Sequence, residues 1–148
     1  MTTYINNKKA HFNYEIQKSY EAGIELFGYE VKSVKAHQGS LDGAYVIIRG
    51  GEAFLSSATI PPFQVGNTPT GYMPNRIRRL LLKKSEIAEM ANIEAGKGLT
   101  IVPISMYNNK GKIKVEVGVA RGKKKFDKRE TIKRRDSERE IRRTLKNQ

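Results

Sequence analysis

The sequence predicts a mainly β fold with flanking helices, its strands closed into a small barrel and followed by a basic tail. Three observations predict it. Residues 44–60, "AYVIIRGGEAFLSSATI", place two apolar runs on either side of a Gly-Gly pair, and glycine accepts the positive φ angles of tight hairpin turns. Residues 112–119 alternate: Ile113, Val115, Val117 and Val119 face one way, and Lys112, Lys114, Glu116 and Gly118 the other. The last stretch, residues 122–148, has Phe126, Ile132, Ile141 and Leu145 as its only large hydrophobic side chains, too few to build a core.

Taken in order, residues 12–28, "FNYEIQKSYEAGIELFG", read as two extended segments divided at Gly23. Tyr14 and Ile16 alternate in the first, and Ile24 and Leu26 in the second. Residues 29–37, "YEVKSVKAH", read as a short helix, with Val31 and Val34 on one face and Gly39 as a stop. The Gly-Gly hairpin follows. Residues 61–75, "PPFQVGNTPTGYMPN", are a loop by their Pro, Gly, Asn and Thr content. Residues 75–98 read as a helix in which Ile77, Leu80 and Leu81 share a face, Ser85 caps a second set of turns, and Gly96 and Gly98 end the run. Residues 99–120 form the clearest β unit, a hairpin turning at "NNKG", with Pro103 marking an edge or bulge. About six short strands therefore fall in one small body. Closing them into a barrel removes exposed edges, which points to an OB-like Greek-key barrel.

The 148 residues suit one domain with an appendage, divided here into a body, 1–120, and a tail, 121–148. The net charge of +13 is unevenly spread. The tail holds 13 Lys/Arg against 5 Asp/Glu, and the body 15 against 10. A mildly basic body with a strongly basic tail points to a polyanionic partner, nucleic acid first. Cysteine is absent, which excludes disulfides and thiolate metal sites. The start, "MTTYINNKK", lacks an apolar signal-peptide core, and no apolar run reaches membrane-spanning length. The expectation is a cytoplasmic protein without a membrane partner, and a monomer.

Enzyme readings find little support. His11 and His37 stand alone, outside any zinc-ligand spacing. "GKGLT", residues 96–100, lacks the phosphate-loop spacing and precedes a strand. Asp127 and Glu130 could hold Mg²⁺ in a nuclease, but both lie among Lys and Arg, where charge pairing along a helix is the simpler account. No catalytic residue, metal or cofactor is expected.

The tail reads differently. Glu130 with Arg134, and Glu138 with Arg142, are four apart with the acid first, the favourable order on a helix. Ile141 and Leu145 share a face. So few apolar groups cannot offset about 1–2 kcal/mol of backbone entropy per residue, so the tail is expected to be disordered free and helical when bound. In the body, "NNKKAHFNY" mixes amides, Lys, His and aromatics, and "NRIRRLLLKK" mixes Arg with a Leu run, as surfaces that read looped or single-stranded RNA do.

These stretches, with "YEAGIELFGYEVKSVKAHQGSLDGAYV", "GEAFL" and "KIKVEVGVARGKKKFDKRETIKRRD", occur in an order that closely resembles the SsrA-binding protein family, also called small protein B. The resemblance covers essentially the whole chain. It implies an OB-type barrel with flanking helices that binds the tRNA-like domain of transfer-messenger RNA (tmRNA). It further implies delivery of alanyl-tmRNA, with elongation factor Tu, to ribosomes stalled without a stop codon. The tail would then enter the empty mRNA channel of the small subunit and fold against its RNA as a helix. Carried over residue by residue, the family's RNA contacts fall on Asn7, Tyr14, Glu21 and Leu81, with Lys8 and Lys9 adding phosphate contacts. Its ribosome-facing motif falls on Gly122, Lys123, Lys124, Asp127, Lys128 and Arg129, with Ile141 and Leu145 as apolar contacts further on. A general ribosomal or translation-factor-like OB protein and a Mg²⁺ nuclease are the competing expectations.

Overall fold

A computed structural model of the chain describes residues 2–96 and 98–123, together with Arg135 and Arg139. Among the described residues seven strands form one antiparallel sheet in the order β1-β6-β7-β2-β5-β4-β3. They are β1 (Thr3–Asn6), β2 (Tyr14–Ile24), β3 (Tyr45–Arg49), β4 (Glu52–Ser56), β5 (Arg78–Leu81), β6 (Leu99–Asn109) and β7 (Lys112–Gly122). Three α-helices, α1 (Lys8–Asn13), α2 (Gly28–Lys35) and α3 (Lys84–Ala95), flank the sheet. The mainly β expectation holds. The ladders run from β1 to β3 without joining the two ends, while β3 packs back against β6 and α3 lies over both.

Both hairpins form where the alternation placed them. Gly50 and Gly51 have φ of +60° and +75°, the left-handed pair that a two-residue turn requires. Val115, Val117 and Val119 are buried against Ile101, Met106, Leu55 and Leu80 in the main core. Residues 61–75 are irregular apart from one 3-10 turn at Val65–Asn67, as their composition indicated.

The structure corrects three of the sequence expectations. Gly23 does not divide residues 12–28: β2 runs unbroken to Ile24, and Gly23 pairs with Lys114 on one side and Leu81 on the other. Residues 75–98 are not one helix. Arg78–Leu81 is a strand, with Arg78 and Leu80 buried and Arg79 and Leu81 exposed, so Ile77, Leu80 and Leu81 do not share a face. The helix starts only at Lys84, where the Glu86 carboxylate accepts the Lys83 amide at 3.1 Å, so Ser85 is not its cap. A short apolar run such as "RRLLL" fits either period, and pairing with β2 and β4 decides it. Strand β1 and helix α1, in the polar N-terminal stretch, carry too few apolar residues to be read from pattern.

Two bulges organise the sheet. Between Ile16 and Lys18 the β2 register slips by one residue against β7, and between Pro103 and Ser105 β6 does the same. Pro103 thus marks a bulge, and β1 pairs with the far side of β6 only over Ser105–Tyr107. Strand β7 itself stays regular. Gly118 sits between the bulges, where a Cβ would come within 2.7 Å of Ile104 Cδ1 and 2.9 Å of Ile16 Cγ2. Each bulge inverts the parity of its strand. Tyr14, Ile16, Ser19, Glu21 and Gly23 therefore all project from the outer face, although strict alternation would put Tyr14 and Glu21 on opposite faces.

Candidate nucleic-acid interface

The outer face begins at α1. Asn7 precedes the helix with its side chain buried at 3% exposure. Its Oδ1 accepts the Ala10 amide at 3.2 Å, and its Nδ2 donates to the Leu41 and Pro103 carbonyls at 3.2 and 2.9 Å. Every polar atom of that amide is therefore used inside the fold. Asn7 fixes the turn from β1 into α1, and its side-chain amide is buried rather than displayed on the surface. What it positions is exposed: Lys8 and Lys9 project to solvent, Lys9 with its Nζ 3.6 Å from Asp42.

Tyr14, half-buried at the start of β2, packs on the small apolar cluster of Ala10, Val102 and Ala120 beneath α1. Its ring borders two grooves. One contains Asn6, His11, Glu15, Glu116 and Lys123, and the other Lys9, Asn13, Tyr45 and Thr100. The first continues along the sheet through Thr3, Ser105 and Glu116 into a third that holds Ser19, Glu21 and Tyr107.

Glu21 and Leu81 lie further along the same face. Cross-strand register aligns Tyr107 with Lys114, Lys114 with Gly23, and Gly23 with Leu81, so four strands contribute one row. Leu81 is 48% exposed, and its Cβ lies 3.2 Å from where a Gly23 side chain would start. The glycine thus lets Leu81 lie flat across the sheet, a raised apolar ledge in a cleft with Ile24, Leu26, Ile113, Lys35, Lys112 and Lys114.

Glu21 stands one row over, opposite Glu116. The Tyr107 hydroxyl donates to Glu21 Oε2 at 2.7 Å, and Asn109 Nδ2 lies 3.1 Å from both carboxylate oxygens. The Tyr107 bond, helped by Asn109, Lys114 and Lys110, holds the Glu21 carboxyl below the ordinary glutamate range. Burial, then Glu21, pushes the Tyr107 phenol far up, so it stays a donor. The result is an ionised carboxylate in a basic surround, aimed by two fixed donors.

Behind this face sits an ion cluster the sequence did not reveal. Glu30 on α2 and Arg78 on β5 are both fully buried, with Arg78 Nη2 2.7 Å and Nε 2.9 Å from Glu30 Oε2. Arg76 also pairs with Glu30 while its guanidinium lies 4.3 Å from the Phe27 ring centroid. Arg78 further donates to the carbonyls of Ala58, Arg76 and Pro74. The Tyr72 hydroxyl lies 2.9 Å from Glu30 and 2.8 Å from the Ile60 carbonyl. Burial raises the Glu30 pKa, but the bonds from Arg76, the Phe27 amide and Arg78 outweigh it and the balance lies below the ordinary range. Tyr72 is pushed up to about 12 by burial and by Glu30. The cluster ties the long loop and the start of β5 to α2, and so sets where Leu81 emerges.

Of the tail residues singled out in the sequence, Gly122 ends β7 opposite Tyr14, and the Lys123 amide donates to the Asn13 carbonyl at 2.8 Å. The sheet thus runs two residues past the boundary expected at 120. Lys124, Asp127, Lys128, Arg129, Ile141 and Leu145, with Glu130 of the nuclease alternative, lie outside the described residues. Arg135 and Arg139 are helical and exposed, and the Arg135 guanidinium lies 5.3 Å from the centroid of Phe12 on α1. Among the described residues no group of three His, Cys, Asp or Glu is placed to hold a metal, and no helix is long and apolar enough to cross a membrane.

The family model described as SmpB protein matches residues 4–147. An SsrA-binding protein of Lactobacillus delbrueckii subsp. bulgaricus is 50% identical over 137 residues, covering 93% of this chain and 89% of that one. SsrA-binding proteins of Chlorobaculum tepidum and Cupriavidus necator are 49% and 44% identical, over 94% and 97% of this chain and 88% and 96% of theirs. A chain from a solved structure described as "tmRNA-SmpB: a journey to the center of the bacterial ribosome" superposes with a TM-score of 0.69 at 39% identity, covering 82% of this chain and 85% of that one.

Proposed function

The chain belongs to the SmpB protein family, and on that premise we propose that it is a non-enzymatic adaptor of trans-translation. Its body binds the tRNA-like domain of tmRNA and brings the alanyl-charged form, together with elongation factor Tu, to a stalled ribosome. The observation that carries the reading is the outer sheet face. An exposed Leu81 and an aimed Glu21 carboxylate lie on it beside Lys112 and Lys114, and it continues to Tyr14, Lys8 and Lys9. Lysines meet phosphates, while the ledge and the carboxylate suit unstacked bases. Asn7 serves this surface by holding α1 in place.

The strongly basic segment beyond Lys123 has a separate task. It engages the small-subunit RNA in the vacant mRNA channel through Lys124, Lys128, Arg129 and its other cations, with Asp127 orienting its basic neighbours and Ile141 and Leu145 making apolar contacts. A monomer acting in the cytoplasm suffices for both tasks. The test is a peptide-tagging assay on ribosomes stalled without a stop codon, with the intact chain and one ending at Lys123. The shortened chain should bind tmRNA yet add no tag. Tagging by the shortened chain would overturn the division of labour.

A further inference from the structure

Residues 53–75 contain no Asp, Glu, Lys or Arg, although the chain as a whole is 29% charged and carries a net charge of +13. Phe63, Val65 and Met73 on this stretch are exposed, as are Phe27 and Ile77. Part of this apolar surface is one connected platform. The Phe27 and Tyr29 rings stack at 5.5 Å, Tyr29 meets Tyr72 edge-on at 5.0 Å, and the Arg76 guanidinium covers Phe27 at 4.3 Å. Met73 and Ile77 flank Arg76, whose amide donates to the Met73 carbonyl at 3.1 Å. The platform is fixed from beneath, because Tyr72 and Arg76 both bond the buried Glu30 carboxylate. Side chains already held in place lose little freedom on association.

Aromatic, Met and Arg side chains in a surround depleted of charge are the composition of the buried centre of a protein interface. An RNA surface needs cations for its phosphates, and here the Arg76 charge is already met by Glu30. At the margin, Glu25 is paired with Arg79 at 3.5 Å, while Lys32, one turn beyond Tyr29 on α2, is exposed. The margin is therefore positive around an apolar centre. We propose that Phe27, Tyr29, Tyr72, Met73, Arg76 and Ile77 form a docking surface for a protein of the stalled-ribosome assembly, one that presents an apolar patch with a carboxylate at its edge for Lys32. The inference rests on the proposed adaptor role and adds a protein contact to the two RNA contacts of that role.

Met73 and Ile77 are 61% and 55% exposed, so replacing them spares the core. The probe is a purified ribosome stalled without a stop codon, loaded with tmRNA and the full chain. The Met73→Ser, Ile77→Ser double variant should be retained on it about ten-fold less tightly, while its affinity for the isolated tRNA-like domain stays unchanged. Lys32→Glu should weaken retention more than Lys32→Gln. Met73→Lys separates the two kinds of partner: it weakens docking on an apolar protein patch and strengthens docking on phosphates. A photoreactive benzoylphenylalanine placed at position 73 should crosslink to a protein, giving a product that protease destroys and ribonuclease spares. Crosslinking to tmRNA or ribosomal RNA, tighter retention of Met73→Lys, or unchanged retention of the double variant would overturn the proposal. Failure of the unaltered chain to bind the stalled ribosome would be a different result, removing the adaptor role and this inference with it.

Discussion

Asn7 is proposed to support RNA binding through the fold, since its side chain is buried. Its amide closes three hydrogen bonds inside the fold. Asn7→Ala would strand the Leu41 and Pro103 carbonyls and remove the cap of α1, at about 1–3 kcal/mol for buried groups left unmade. Thermal or urea unfolding should show that loss, with RNA affinity falling as a consequence. Unchanged stability with weakened binding would make Asn7 a contact after all. Glu30 is a second case. Its folded pKa is lowered, so its ionisation stabilises the fold fully above the ordinary glutamate range, and that contribution disappears as pH falls through the lowered folded value. The urea midpoint should therefore drop steeply at the acid end of a titration from pH 7. Glu30→Gln should be less stable at neutral pH by about 3–5 kcal/mol, the cost of breaking a buried pair, and flatter across the acid window. Parallel curves for the two proteins would contradict the assignment. Neither role shows in the sequence, where an asparagine and a glutamate look alike buried or exposed.

At the scale of elements, what could be read and what could not divide along physical lines. The two hairpins were legible because alternation and turn glycines are local signals, and both registers are set by them. Strand β5 was not, because four residues carry no decisive period and its partners β2 and β4 are distant in sequence. The bulges matter most for the site. Tyr14 and Glu21 were singled out by resemblance, but only the slip between Ile16 and Lys18 puts them on one face. Tyr107 and Asn109 were not singled out in the sequence, because only the pairing of β2 with β7 brings Tyr107 to Glu21 from 86 residues away. Gly118, trapped between Ile104 and Ile16, is the test of this arrangement. Gly118→Ala forces one of them aside and should cost about 1–3 kcal/mol by overpacking. Adding Ile104→Val should recover part of the loss, and a neutral Gly118→Ala in urea unfolding would show that the close approach is not a constraint.

Among the described residues, charge and core are kept apart except at the buried Glu30–Arg78 pair. The core is built from the body's strands, with Ile101, Met106, Val115 and Val117 at or near zero exposure, while Lys8, Lys9 and Lys112 are exposed and residues 121–148 hold 13 of the 28 Lys/Arg. Such a division suits the proposed role, in which the sheet holds one RNA and the tail reaches another. Neutralising about five phosphates with the body predicts a slope near −4 for log K against log salt, and a flat response would exclude a phosphate-led interface. The central claim is that the sheet face alone reads the tRNA-like domain. It is tested most directly by titrating that domain, with tRNA of similar length as competitor, against the intact chain and against a chain ending at Lys123. The account predicts tight binding by both and poor competition by tRNA. Failure of the shortened chain, or equal competition by tRNA, would show instead that the basic tail is a general grip on polyanions.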